Sequence, residues 1–532
     1  MKLTLKSLAG GVALALTAQA HAFVDPAETD VSLFVSGASA PSNMLREHLV
    51  QNVCSQTAPI DVFVDVVDAK PSTPADITPI VAHDNFWTVQ CEANAALTQL
   101  AAGTKIAIYK TDQGGSGQGT TPVVNAEALP FLDTGHVDCS LDTNDQAHNG
   151  GGTFDLYECG EVTKTQRTDF GVSDIEPDKF TGQLAPASGN FVEPGNWEVK
   201  PGPGLVFAPV FTKNFRDALQ DSQGLCTDGA GAAMDCGDAG AVACSDGGNA
   251  DHELEVCMPT VPSSYVHALY TGQIDDWNDE SILGVENTCT TCDPTTPPQF
   301  GNTTNRVHVC RRVQGSGTHA EFMIHFERTN CTDDSRSMVT QPGGGFLGDA
   351  IVWETSSSGT LGDCLDALAT GSGFSNSNLT PNTIPAVEHW ATGYQSTEKN
   401  TGNTEAWRYL KVDGLAPTIE NAFNGMYDQI YFLSFQHRPL DFKSGGVGDQ
   451  LRPVAQPAAD IEKLADNAFS ITGPVAAQIN ETLQYTWGPG GFLVPSAPGV
   501  PAPVAFDPAN PVTDWKRVNT DGGPNSCQPL SK

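Results

Sequence analysis

Basic residues are scarce in this 532-residue chain: 27 Lys and Arg stand against 63 Asp and Glu, a formal net charge of −36. That balance excludes a nucleic acid or an anionic membrane surface as partner, because a phosphate backbone demands clustered Lys and Arg. It leaves room for a small anion, whose site is built locally from amide dipoles and one or two bases. No segment is apolar over the roughly 20 residues needed to cross a bilayer, so no stable membrane insertion is expected. The Gly-x-x-x-x-Gly-Lys-Ser/Thr phosphate loop, the Gly-x-Ser-x-Gly elbow and the His-Glu-x-x-His zinc motif are all missing. His319 and His325 are not at i, i+4 spacing, and with His308 they read as surface or satisfied core histidines; no metal and no cofactor is expected. No nucleophile with its base stands out, which ranks an enzyme acting on phosphate esters last among the functions considered. No repeat of fixed period is present.

What the chain does have is enough apolar residue, 39% hydrophobic with 8% aromatic, to build cores despite 53 Gly and 36 Pro. Its length suits two or three lobes. Lys2 and Lys6 followed by the apolar run Leu8 to Leu16 and by Ala20-His21-Ala22 read as a cleaved leader over residues 1–22, with Phe23 as the mature start. A periplasmic or secreted product is expected. The 14 Cys agree with an oxidising compartment and allow up to seven disulfides. Closeness in sequence suggests Cys139 with Cys159, Cys226 with Cys236, Cys244 with Cys257 and Cys310 with Cys331. Cys289-Thr-Thr-Cys292 is read as a loop staple in preference to a redox or zinc site, since no second such pair accompanies it.

Strand-like and helix-like stretches alternate, which argues α/β. Val31 to Val35, Lys105 to Tyr109 and Val307 to Cys310 are strand candidates, and Asn43 to Val53 carries helical periodicity. Gly204 to Phe211 reads as a strand pair or a long strand crossing between lobes. Polar Gly- and Cys-rich insertions at about 132–161, 223–256 and 286–305 suit surface loops pinned by disulfides. The Pro-rich segment from Gly488 onward is expected to wrap the surface.

Four segments share one theme, small residues and hydroxyls where a strand ends: Ser36-Gly-Ala-Ser-Ala-Pro-Ser42, Gly114-Gly-Ser-Gly-Gln-Gly119, Asp169-Phe-Gly-Val-Ser-Asp174 and Arg311-Arg-Val-Gln-Gly-Ser-Gly-Thr318. The fourth, running into a helix from His319 to Arg328, exposes backbone N–H groups to an approaching anion, with the guanidinium of Arg312 just upstream. An ordinary Gly-Ser turn capping a helix is the plain alternative.

These blocks, with Ala268-Leu-Tyr-Thr-Gly-Gln-Ile-Asp-Asp-Trp-Asn-Asp279, occur in the order found in the phosphate-binding proteins of bacterial phosphate ABC importers, and the chain resembles that family of type II periplasmic binding proteins. Thr392-Gly-Tyr394 and Val412-Asp-Gly-Leu-Ala-Pro417 are weaker echoes. The resemblance implies two α/β lobes joined by crossing strands, a two-lobed type II periplasmic-binding-protein fold with Gly/Cys-rich loop insertions. The division it suggests is 23–200 with 390–487 as one discontinuous lobe, 201–389 as the second, and 488–532 as a Pro-rich C-terminal tail. By motif position it implies that Ser116, Arg312, Ser316, Gly317 and Thr318 donate to the anion, and that Asp174 accepts the proton of phosphate. From the first loop, Ser39, Ala40 and Ser42 occupy the matching stretch. The family has a Thr hydroxyl and a backbone N–H there, and Pro41 offers neither, so Ser42 or Ser39 substitutes or one contact is missing. Gln314 stands where the family commonly has Asp, which implies a more available Arg312. Trp277 and Asn278 are assigned packing and capping, not chemistry.

The function so implied is an exported, monomeric solute-binding protein that captures an oxyanion, inorganic phosphate first, and hands it to the membrane permease of an ABC importer, with no catalytic step. The alternative is a secreted structural or adhesive protein reusing the same fold without transport, for which the acidity and the disulfide-bearing insertions speak.

Overall fold

The apolar run Val31–Gly37 (β1) is buried at every position, the pattern of a strand covered on both faces. It lies parallel to Lys105–Thr111 (β4) on one side, with Val35 opposite Lys110, and parallel to Phe170–Ser173 (β5) on the other. Ile60–Val64 (β2) and Phe86–Glu92 (β3) extend this side of the sheet, β3 running antiparallel to both β2 and β4. The computed structural model describes residues 28–65, 85–97, 100–142, 154–246, 248–277, 306–331, 350–438, 451, 456–481, 483–497, 499–518 and 524–532. The leader, Asn278, Asp279, the Cys289–Cys292 pair, the expected insertion at 286–305 and part of that at 132–161 lie outside those residues.

The two halves of the molecule are joined through one 15-residue strand, Glu198–Thr212 (β6). Its first part, Glu198 to Val206, pairs antiparallel with Ile430–His437, while its last part, Phe207 to Phe211, pairs antiparallel with Ala391–Ser396. The expected crossing strand is therefore a single long one. On the far side, His308–Arg312 (β7) lies parallel to Ile351–Thr355 (β8) and to Ala391–Ser396 (β9). With Ile430–His437 numbered β10, the order across the centre of this mixed sheet is β8-β7-β9-β6-β10-β5-β1-β4-β3-β2. The fold is α/β and two-lobed. One core packs Leu33, Val35 and Ile108 under Leu45 and Leu49; another packs Val210, Cys310 and Trp353 under Leu361 and Leu365.

Helices follow the strands at the ends that carry the hydroxyl-rich loops. Ser42–His48 (α1) follows β1 and continues as a wider turn through Leu49–Val53. Gly317–Glu327 (α2) follows β7 and is capped by the Ser316 hydroxyl, which accepts from His319 N at 3.5 Å. Ser358–Thr370 (α3) follows β8; Ser357 caps it by accepting from Thr360 N at 3.0 Å, and Gly371 closes it at φ 61°.

Six disulfides join described residues. Cys139–Cys159, Cys226–Cys236 and Cys244–Cys257 are the pairs expected from closeness in sequence. Cys310 and Cys331 are not partners. Cys310 is buried on β7 beneath α3 and bonds Cys364, whereas Cys331 follows α2 and bonds Cys527, 196 residues on. Linear nearness failed here because a strand and the end of the next helix face different layers. The C-terminal segment departs from expectation only near its start: Phe492–Pro495 pairs with β6 at Gly204 and Leu205, and Phe492 and Leu493 are fully buried, while the described residues over 497–510 are mostly exposed. Apolar content, not the surrounding prolines, decides where that stretch goes. Farther along, Ser526 donates through N and Oγ to the two carboxylate oxygens of Glu176, each at 2.6 Å. The insertion around 226–257 makes a small sheet of its own and is largely exposed.

Candidate functional site

Five strand ends converge. β1, β4 and β5 are parallel neighbours, so the loops that leave their carboxyl ends lie side by side, the usual place for a ligand in an open α/β sheet. From the other half, β7 and β8 deliver two more loops.

The β5 loop contributes Asp174 and the β4 loop Ser116. The Ser116 hydroxyl donates to Asp174 Oδ2 at 2.8 Å, and Asp174 N lies 3.2 Å from Ser116 Oγ. Asp174 is 2% exposed, and its Oδ1 has no hydrogen-bond partner among the described residues. Burial pushes its carboxyl up to about 6, against the pull of the Ser116 hydrogen bond and of the Arg312 and Lys110 charges.

Gly317, the first residue of α2, sits directly on this pair: a side chain there would collide with Asp174 Oδ2 and Ser116 Oγ. The neighbouring Gly315 has φ +87° and packs on Pro186. The Gly117 N–H donates to the Gly315 carbonyl at 2.7 Å, so the β4 and β7 loops touch through backbone. Ser316 and Thr318 are buried beside them, at the N-terminal end of α2.

Arg312 closes the constellation from the end of β7. Its Nη1 donates to Ser358 Oγ at 2.7 Å and to Ser39 Oγ at 3.4 Å, and its Nη2 to the Ser356 carbonyl at 2.8 Å. Its Nε is buried without a partner among the described residues. Burial lowers the guanidinium to about 10, opposed by the attraction of Asp174 and Asp112.

The first loop divides its roles. Ser39 faces Arg312 and stands 3.3 Å from Ser358 Oγ. Ser42 turns away and donates to the Asp112 carboxylate at 2.7–2.8 Å. Ala40 is buried and offers no polar side chain. Of the residues singled out from the sequence, Ser39, Ser116, Asp174, Arg312, Ser316, Gly317 and Thr318 thus gather at one place, and Ser42 lies at its edge. Gln314 does not hold Arg312; its Nε2 donates to the Gly182 carbonyl at 3.3 Å.

Two features went unread. Ser358 belongs to Thr355-Ser-Ser-Ser-Gly-Thr360, a strand end running into a helix with the same hydroxyl-rich content as the other loops, so a signal was there. Lys110, fully buried, donates to the carbonyls of Gly37, Ala38 and Thr111 at 3.0–3.1 Å and pairs with Asp112. Nothing in residue spacing announces that pairing. Trp277 packs on Phe215 and Trp390 and donates to the Trp390 carbonyl at 3.1 Å. His308 accepts from Trp353 Nε1 at 3.1 Å and stacks on His389, and His319 is buried on α2.

Among the described residues no helix is long and apolar enough to cross a membrane. No protein-family model matches the sequence, and no curated protein does. Solved structures overlap loosely. One, from Clostridium perfringens, is described as a phosphate ABC transporter substrate-binding protein with bound phosphate; it is 12% identical, with a TM-score of 0.35 over 86% of this chain and 98% of that one. An ABC-type phosphate transport receptor from Vibrio cholerae is 10% identical, with a TM-score of 0.31 over 83% and 94% of the two chains. A phosphate-binding protein from Stenotrophomonas maltophilia is 12% identical, with a TM-score of 0.32 over 82% and 89%.

Proposed function

We propose that this chain is an exported solute-binding protein that captures an oxyanion, inorganic phosphate, between its two lobes and passes it to the permease of an ABC importer. The observation that carries this reading is one buried place where Arg312, bonded to Ser39, and the Ser116–Asp174 pair are brought together around the Ser316-Gly317 turn, Asp174 keeping an oxygen unpartnered among the described residues. Donors dominate it, as an oxyanion requires. A single charged acceptor stands among them, and a tetrahedral anion that carries a proton suits it. Phosphate near neutral pH brings that proton. Sulfate does not, and would set a bare oxygen against Asp174, a mismatch that costs the unpaired group its hydration. An oxyanion oxygen arriving at Ser116 takes the hydrogen bond that Asp174 now receives, which frees that carboxylate for the ligand's own proton.

In this reading we also assign Ala391–Ser396 and Trp407–Tyr409 to the second lobe, because the first pairs with β7 and both pair with the last part of β6.

Isothermal titration of purified, ligand-stripped protein with phosphate, sulfate and arsenate tests the reading. Micromolar or tighter binding of phosphate, with sulfate far weaker, is expected. Heat-silent titrations with all three anions overturn it in favour of a structural or adhesive role.

A further inference from the structure

An arginine that binds anions must itself be held, and what holds it sets how much positive charge it presents. Here Gln314 is turned toward Gly182, and among the described residues no carboxylate hydrogen-bonds to Arg312. Its partners are three neutral oxygens, of which the Ser358 hydroxyl is the nearest, at 2.7 Å. Ser358 is itself firmly placed. It is the first residue of α3, 3% exposed, and its carbonyl accepts from Gln395 Nε2 on β9 at 2.7 Å. A hydroxyl accepts the guanidinium proton without cancelling the charge, whereas a carboxylate at the same spot neutralises it.

The charged groups around Arg312 are few. Asp174 faces it from the β5 loop and Asp112 from the β4 loop, the latter already paired with Lys110; Arg311 adjoins it on β7, and His319 stands on α2. Among the described residues no carboxylate hydrogen-bonds to the guanidinium, so its charge is offset only through space, by Asp174 and Asp112.

We infer that Ser358 is a positioning residue for Arg312, and that its uncharged grip biases the site toward the doubly charged form of the oxyanion. The inference rests on the oxyanion reading above and specifies which charge state of phosphate the site prefers.

Calorimetry of phosphate binding at about pH 5.5 and about pH 8 with the parent, Ser358→Ala and Ser358→Asp tests it. In the parent, affinity for total phosphate rises with pH, as Asp174 ionises and the dianion fraction grows; the Ser358 variants leave Asp174 in place and so isolate the second contribution. Ser358→Ala loosens the guanidinium and loses several-fold in affinity at both pH values, keeping the rise. Ser358→Asp places a carboxylate against Arg312, removes the rise, and loses about tenfold or more at the higher pH. A parent profile that is flat or falls with pH, or a Ser358→Ala protein that binds like the parent, overturns the inference while leaving phosphate binding intact; both outcomes are readable even if Ser358→Asp does not fold. A parent that binds no oxyanion removes the reading beneath it as well.

Discussion

The two sides of the candidate site are built on opposite electrostatic plans. The β1, β4 and β5 side carries carboxylates whose polar partners come from its own loops: Asp112 with Lys110 and Ser42, Asp174 with Ser116. The β7 and β8 side carries a cation held by neutral oxygens, two of them, on Ser358 and Ser356, from its own half. One side adds the charged acceptor to its hydroxyls and the other adds the guanidinium, and neither alone suits a tetrahedral anion. The contrast teaches that the site is a property of the two halves brought together, through Gly117 on Gly315 and Gly317 on the Ser116–Asp174 pair.

The sharpest way to break that contrast is Arg312→Ala, which leaves Asp174 buried without its countercharge. Phosphate affinity should fall by about a hundredfold or more, roughly 3 kcal/mol; calorimetry showing parent-like binding would detach Arg312 from the site. Next comes Asp174→Asn. Burial holds the Asp174 carboxyl up at about 6, above its ordinary 3.8, so its neutral form contributes stability that is fully present below pH 3.8 and is lost as pH rises through about 6. Asn cannot ionise. The ligand-free variant should therefore gain on the parent between about pH 4 and pH 8 by up to about 3 kcal/mol in denaturant unfolding. Its preference for phosphate over sulfate should narrow, because an obligatory acceptor becomes a possible donor. A stability difference that is independent of pH would break the assignment. The smallest effect is expected from Gly317→Ala, whose methyl group must push both Asp174 and Ser116 aside. About tenfold weaker binding, roughly 1.4 kcal/mol, should follow with thermal stability less affected; unchanged affinity would mean that the two sides meet less closely when the anion is bound.

Much of this arrangement was legible in residues. Mostly apolar stretches such as Val31 to Val35 and Lys105 to Tyr109 identify strands, and both form as buried parallel neighbours. Asn43 to Val53 is helical as its periodicity suggests. The four hydroxyl-rich loops could be picked out because glycine and serine at a strand end are locally encoded. Partnerships between distant segments were not. Cys310 with Cys364, Lys110 with the carbonyls of Gly37 and Ala38, and Arg312 with Ser358 depend on how layers stack, which spacing along the chain does not report. Ser39 and Ser42 stayed open as alternatives for the same reason: both hydroxyls sit on one turn, and only the neighbouring Asp112 turns Ser42 elsewhere.

The C-terminal segment ties the two halves by unequal knots. Cys527 is covalently fastened to Cys331, just beyond α2, while the adjacent Ser526 is held to Glu176, two residues past Asp174, by hydrogen bonds alone. The segment is thereby stapled at both margins of the candidate site, by sulfur at the end of α2 and by hydrogen bonds two residues from Asp174.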